Sequence, residues 1–281
     1  MSKPLSNSWK EFLNTWQKVT SPGRPTSREI DIYQKFGQPL LKRKGAGILL
    51  LGSTPELRDM LSKYRNITLI IIDINLEMIE AMSQLMKNKT AFVDETWIRA
   101  SWLNAPLPNH YFDLIYGDFV LSNVDFKFKD IFLRNISNWL KPGGYFITRN
   151  ENFRECHRPL SIFEFEAIFK GRPLNQKIIN LFWEVGVWSL GRISGSQNVS
   201  PKLFYKRIKE HLKENNSPHL RAILRKGGIL YHLKATWYIY NGRDSERLLR
   251  KYFKMSDRRF DAKINFVYPD VAPIYKLKPK I

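Results

Sequence analysis

An α/β fold, with a seven-stranded and mostly parallel sheet flanked by helices on both faces, is predicted by three observations. From Gly45 onward, short apolar runs alternate with amphipathic stretches, the pattern of repeated strand–helix units. The run Ile67–Ile72 is β-branched or leucine throughout, as expected of a strand covered on both faces. Leu140-Lys141-Pro142-Gly143-Gly144 closes a helical stretch and turns the chain into another apolar run.

Taken in order, residues 1–44 read as a helical preface. Trp9, Phe12, Leu13 and Trp16 recur at helical spacing, a turn follows at Ser21–Pro25, and a second periodic stretch spans Ile30–Phe36. Residues 45–155 form the core. Its strands are predicted at Ile48–Leu51, Ile67–Ile72, Thr96–Ala100, Phe112–Tyr116 and Tyr145–Thr148, and its helices at Glu56–Tyr64, Leu76–Lys87 and Ile131–Leu140. Residues 156–230 read as a helical cap inserted between two strands of one sheet, with helices at Ile162–Phe169, Gln176–Trp188 and Pro201–Lys213. Residues 231–281 then complete that sheet with a strand at Lys234–Tyr240, a helix at Ser245–Phe253 and a strand at Ile274–Leu277.

Composition narrows the class. With 43% hydrophobic residues in 281, the chain can bury a core. Its one cysteine, Cys156, cannot form an internal disulfide or build a thiolate zinc site, and no metal is expected. The apolar run Ile67–Ile74 is far short of the roughly 20 residues a bilayer helix needs, and Met1–Ser8 lacks a signal-peptide apolar region, so the expectation is a cytoplasmic protein without a membrane partner. The net charge of +20 is uneven: residues 1–150 carry 20 Lys and Arg against 14 Asp and Glu, residues 151–281 carry 26 against 12. A basic surface attracts anions, so an anionic small molecule and nucleic acid are both candidate partners.

The first strand ends in Leu51-Gly52-Ser53-Thr54-Pro55-Glu56. Gly52 allows a sharp turn and close ligand approach, Thr54 suits an N-cap and Pro55 the first helical position. Such a junction at the carboxyl edge of a parallel sheet is where nucleotides bind. A dinucleotide loop needs three glycines, and only Gly52 is present. Glu56, in the first turn, would repel a diphosphate but accept a bond from an ammonium group. Asp73 ends the second strand about twenty residues on, the spacing at which an acidic side chain reaches ribose hydroxyls.

Together with Ser101-Trp102 before Pro106-Leu107-Pro108, Phe112-Asp113-Leu114-Ile115 leading to Gly117-Asp118, and Leu140-Lys141-Pro142-Gly143-Gly144, these residues resemble the ordered motifs of class I S-adenosylmethionine-dependent methyltransferases, a Rossmann-like family. The resemblance covers roughly residues 45–150 and, more loosely, the strands after 230; the Thr-Pro-Glu loop is similar to that of a subset of bacterial small methyltransferases. It implies S-adenosyl-L-methionine as cofactor. By that resemblance Gly52, Ser53 and Thr54 would surround the methionine part, Asp73 would hold the ribose, and Ile74, Ser101 and Trp102 would flank the adenine. Asp118 and Phe119 would face the amino group and the transferred methyl.

Methyl transfer from a sulfonium is a direct displacement, so alignment supplies much of the catalysis. Two residues after the fifth strand compete as general base, His157 and Glu151. The run Asp118-Phe119-Val120-Leu121 is not the Asp/Asn-Pro-Pro-aromatic run of enzymes that methylate exocyclic amines of bases, and Cys156 has no preceding proline, so neither base chemistry is expected. Aromatic residues of the cap, among them Phe163, Phe182 and Trp183, suit an apolar wall above the methyl group. The reading is therefore a methyltransferase that acts on an oxygen or nitrogen of a small molecule. The alternatives are an RNA or protein methyltransferase, favoured by the C-terminal charge, and a non-catalytic cofactor-binding or scaffold protein, favoured by the single-glycine loop.

Overall fold

The computed structural model describes residues 13, 16–17, 23–88, 95–153, 196–214, 216, 221, 224, 236–262 and 272–280. Its strands are β1 (Ala46–Leu51), β2 (Ile67–Asp73), β3 (Glu95–Arg99), β4 (Phe112–Asp118), β5 (Leu140–Arg149), β6 (Asn152–Phe153), β7 (Ser196–Val199), β8 (Trp237–Asn241), β9 (Phe253–Arg259) and β10 (Ile274–Pro279). The helices are α1 (Ser27–Gly37), α2 (Pro55–Leu61), α3 (Leu76–Ser83), α4 (Lys129–Trp139), α5 (Pro201–Glu214) and α6 (Gly242–Tyr252). The main sheet has seven strands in the order β3-β2-β1-β4-β5-β10-β9. Strands β3 to β5 pair in parallel, and β10 runs opposite to both of its neighbours. This is the Rossmann-like fold predicted from the strand–helix rhythm.

Burial explains which strands the sequence announces. All six residues of β1 are buried, and its alternate side chains feed two different cores. Leu49 and Leu51 join Phe132, Leu133 and Ile136 of α4 and Leu248 and Leu249 of α6 on one face. Ile48 and Leu50 join Tyr33 and Phe36 of α1 and Leu57, Met60 and Leu61 of α2 on the other. The period of two along the strand thus places helices on both faces. Inside β5, where its register against β4 shifts, a Cβ on Gly144 would lie 2.8 Å from the Asp113 carbonyl oxygen, so only glycine lets β5 close against β4 there. Asp113 ties the same end together by accepting from the Gly47 amide and pairing with Lys141.

Two expectations are corrected at the C-terminal end. The strand at Trp237–Asn241 does not complete the main sheet; it forms the middle of a separate three-stranded sheet, order β6-β8-β7. The stretch Phe253–Arg259, of which only Phe253 had an assignment, as the end of a helix, is β9, the edge strand of the main sheet. Its alternation is carried by Phe253, Met255 and Asp257 against exposed Lys254 and Arg258, too polar to register as a strand, which is how edge strands avoid pairing with other chains. Of the predicted cap, Pro201–Glu214 is helical as expected; Ile162–Phe169 and Gln176–Trp188 lie outside the described residues. In the preface, α1 starts with a capping box between Thr26 and Glu29, and Leu13 packs against Ala81 and Met82. Among the described residues no helix is long and apolar enough to cross a membrane.

The edge strand β3 is held by a buried ion pair. Arg58 of α2, fully buried, donates to both carboxylate oxygens of Glu95 and to the Ile79 carbonyl, with its guanidinium 5.6 Å from the Trp97 ring. Glu95→Ala would leave that guanidinium buried without its counter-charge. A loss of about 3 kcal/mol is expected in urea unfolding, with the m-value unchanged.

Candidate functional site

The carboxyl ends of β1, β2, β4 and β5 open into one cavity of about 790 Å³. Gly52, at the end of β1, has φ +76°, a left-handed conformation, and a Cβ built there would lie 3.9 Å from the Trp102 ring and 4.0 Å from Asp73 Oδ2. The turn after β1 therefore presents bare backbone to the cavity floor. Thr54 precedes Pro55 at the start of α2, without a capping hydrogen bond from its side chain. Glu56 accepts from Arg24 Nε at 2.7 Å through Oε1, while its Oε2 is buried without a hydrogen-bond partner.

Asp73 ends β2, and its Oδ1 accepts from the Asn75 amide at 2.9 Å, which fixes the carboxylate at the rim. Burial pushes its pKa up, partly offset by the Asn75 and Ile74 amides. Next to it Ile74 is 69% exposed and lines the cavity, an apolar side chain turned outward where a flat apolar ligand can cover it. Trp102 is fixed through its indole N–H, which donates to the Ile72 carbonyl at 3.1 Å, and through its ring, 5.8 Å from that of Phe132. Ser101 lines the cavity beside it.

Asp118 and Phe119 close the floor after β4, and a buried network holds them. The fully buried Arg149 donates through Nε and Nη2 to the two oxygens of Asp118 at 2.8 and 2.9 Å, and through Nη1 to Glu29 of α1 at 2.8 Å. The Tyr33 hydroxyl donates to the Gly117 carbonyl and to Asp118 Oδ1, and accepts from the Arg149 amide. Burial alone would lower the Arg149 pKa, but the carboxylates of Asp118 and Glu29 outweigh it and keep the guanidinium charged. Phe119 has φ +56° and its ring lies 4.1 Å from the Arg149 guanidinium, so stacking offsets the strained backbone.

Glu151, two residues past Arg149, lines the same cavity and is only 8% exposed, with Oε2 lacking a hydrogen-bond partner among the described residues. Burial raises its pKa to about 8, against the opposing influence of the Ser122 hydroxyl and the charges of Arg149 and Lys129. The other predicted base, His157, lies outside the described residues. The ten predicted cofactor residues, Gly52, Ser53, Thr54, Glu56, Asp73, Ile74, Ser101, Trp102, Asp118 and Phe119, all line this cavity together with Glu151. Three features were missed: the buried Arg149–Glu29–Tyr33 support, Arg24 on Glu56, and the wall formed by Trp237 and Tyr238. The one sequence signal for the first is the arginine that ends the apolar run of β5.

A parallel sheet with a cavity of about 790 Å³ at its carboxyl edge, an acidic rim after β2 and a glycine turn after β1 is the arrangement at which open α/β sheets bind nucleotides. Residues 51–148 match the family model described as a methyltransferase domain. The whole chain is similar in fold to solved structures of low identity. An S-adenosylmethionine-dependent methyltransferase from Clostridium acetobutylicum is 14% identical, with 98% of this chain and 100% of that chain covered and a TM-score of 0.56. A Rhodobacter sphaeroides protein described as a candidate Zn-dependent alcohol dehydrogenase is 12% identical over 100% of both chains, with a TM-score of 0.56. The N-methyltransferase NodS from Bradyrhizobium japonicum, solved with S-adenosyl-L-homocysteine, is 12% identical, with 98% and 100% covered and a TM-score of 0.50. No curated protein matches the sequence.

The raised pKa of Glu151 yields a sign-definite prediction. A carboxyl that titrates at about 8 in the fold and near its ordinary 4.5 when unfolded favours folding in its neutral form, and this contribution is lost as pH rises through that window. Glu151→Gln is neutral throughout, so its stability relative to the natural protein should increase between pH 5 and pH 8, as read from paired urea titrations.

Proposed function

We propose that the chain is an S-adenosylmethionine-dependent methyltransferase that moves a methyl group to an oxygen or nitrogen of a small-molecule acceptor. The single observation that carries this is the convergence of the family-matched segment and the cavity on the same residues, Gly52, Asp73, Trp102 and Asp118 among them. The cofactor is S-adenosyl-L-methionine, whose sulfonium supplies an activated methyl group when bound.

The residues present fit that cofactor. The unpartnered Oε2 of Glu56 would take the ammonium of the methionine part, and the remaining N–H groups of Arg24 its carboxylate. Asp73 would accept from the ribose hydroxyls, and Ile74 and Trp102 would sandwich the adenine, with Ser101 at its edge. Asp118, with both oxygens held by Arg149, shapes the floor under the methionine part; Phe119 would pack beside the methyl group and exclude water. Glu151 would hold or remove the acceptor proton, and alignment does the rest.

An RNA acceptor is a second reading, supported by one observation. Lys202, Lys206, Lys209 and Lys213 are exposed at spacings that place them on one face of α5. If RNA is the acceptor, binding should weaken steeply between about 50 and 200 mM salt; affinity that hardly varies with salt removes this reading.

Asp73→Ala should weaken S-adenosylmethionine binding by about tenfold or more in calorimetry, through loss of charge-assisted bonds to ribose, with the thermal midpoint little changed. Gly52→Val should abolish binding, because a β-branched residue at φ +76° distorts the turn that faces the ligand. Unaltered affinity in both variants would remove the β1–β2 rim from the cofactor site.

A further inference from the structure

The charge of the cavity is opposite to that of the chain. Against a net charge of +20, the described lining of the cavity carries five carboxylates, Glu56, Asp73, Asp118, Asp125 and Glu151, and two cations, Arg24 and Lys127. One of these cations is already paired with Glu56. Of the carboxylates on the β4–β5 side, Asp118 is neutralised from below by Arg149, whereas Glu151 has an oxygen that no described residue satisfies. An anionic acceptor, which overall charge suggested, would find no counter-charge in this lining to hold Glu151 ionised, whereas a cation would.

The wall beside Glu151 is aromatic. Asn152, its neighbour, pairs with Tyr240 in the small sheet, which brings Trp237 and Tyr238 of β8 to the cavity. Lys129, fully buried, fixes that wall: its Nζ donates to the Tyr238 carbonyl and lies 4.7 and 4.5 Å from the rings of Phe126 and Tyr240. The exposed ring of Phe128 borders the same cavity. A buried carboxylate oxygen lacking a donor, beside aromatic faces, is the chemistry that recognises an ammonium group.

Building on the methyltransferase reading, we infer that the acceptor is a cationic primary or secondary amine whose ammonium seats on Glu151 beside Trp237 and Tyr238. The ammonium supplies the counter-charge and the hydrogen-bond donor that Glu151 lacks; a hydroxyl acceptor supplies only the donor. It also carries the proton that has to leave before nitrogen can attack. The ammonium passes this proton to the Glu151 carboxylate, and the freed lone pair of nitrogen forms the new N–C bond as the sulfonium C–S bond breaks with its electron pair left on sulfur. The product is again an ammonium ion; Glu151 is left protonated when it departs, and gives that proton to solvent as the next ammonium binds. Among the described residues, the charged and polar groups facing Glu151 are Arg149, Asp118, Lys129 and Ser122; Arg149 is shared between Asp118 and Glu29, and Lys129 is held by the Tyr238 carbonyl, so neither cation is dedicated to this carboxyl.

The test uses the full chain and three probes of similar shape: 2-phenylethylamine, 2-phenylethanol and phenylacetate, titrated by calorimetry with and without saturating S-adenosylhomocysteine. The amine should bind about tenfold or more tightly than the alcohol, and phenylacetate more weakly still. With Glu151 titrating at about 8, amine binding should release close to one proton at pH 7 and little at pH 9, whereas the alcohol releases none at either. Glu151→Gln should cancel the amine preference and the proton release together while still binding S-adenosylhomocysteine, which reports that it is folded. Equal binding of amine and alcohol, a preference for phenylacetate, or an amine affinity untouched in Glu151→Gln overturns the inference. If S-adenosylhomocysteine fails to bind the natural chain, the methyltransferase reading falls instead, and the amine-to-alcohol ratio is still read without it.

Discussion

A guanidinium buried at the carboxyl end of β5 organises the rest of this molecule. Arg149 has no exposure to water, and its charge is tolerable only because Asp118 meets it from the end of β4 and Glu29 from α1. Taking one cation and two carboxylates out of water is costly, and the geometry offsets that cost with paired, charge-assisted bonds and a tyrosine hydroxyl that links backbone to side chain. Three segments distant in sequence are thereby locked in one arrangement. The turn at Phe119 is held in an unfavourable conformation under the cavity, and Glu151 is carried out of the network toward the space above it.

The same low-polarity interior acts in opposite directions on two nearby groups. Burial raises the Glu151 carboxyl to about 8 and lowers the Lys129 ammonium to about 7, in each case by penalising the charged form. Lys129 is supported by a carbonyl and two aromatic faces, so it serves as a structural bolt for β8. Glu151, by contrast, has an oxygen left without a hydrogen-bond partner among the described residues.

The surface charge and the cavity charge are separate properties. Basic residues dominate the chain as a whole, yet the described cavity lining is acidic, because Lys and Arg stems reach solvent from most positions while carboxylates at strand ends point where the loops leave room. Net charge thus describes what approaches the protein; local charge selects what stays.

Much of this protein was determined by its sequence alone. The strand–helix rhythm specifies β1 to β5, and Gly52 and Asp73 follow from it, because each stands at a strand end and a parallel sheet delivers such ends to one edge; Trp102 and Asp118 were implied by the resemblance to the methyltransferase motifs. Only the tertiary structure decided which strand joins which sheet after residue 230, since β8 and β9 have too little apolar alternation to announce their partners. It also decided the partners of Arg149, Glu56 and Glu151. Local pattern shows that a charge exists, but its neutralisation comes from residues such as Glu29, 120 positions away, that meet it only when the chain has folded.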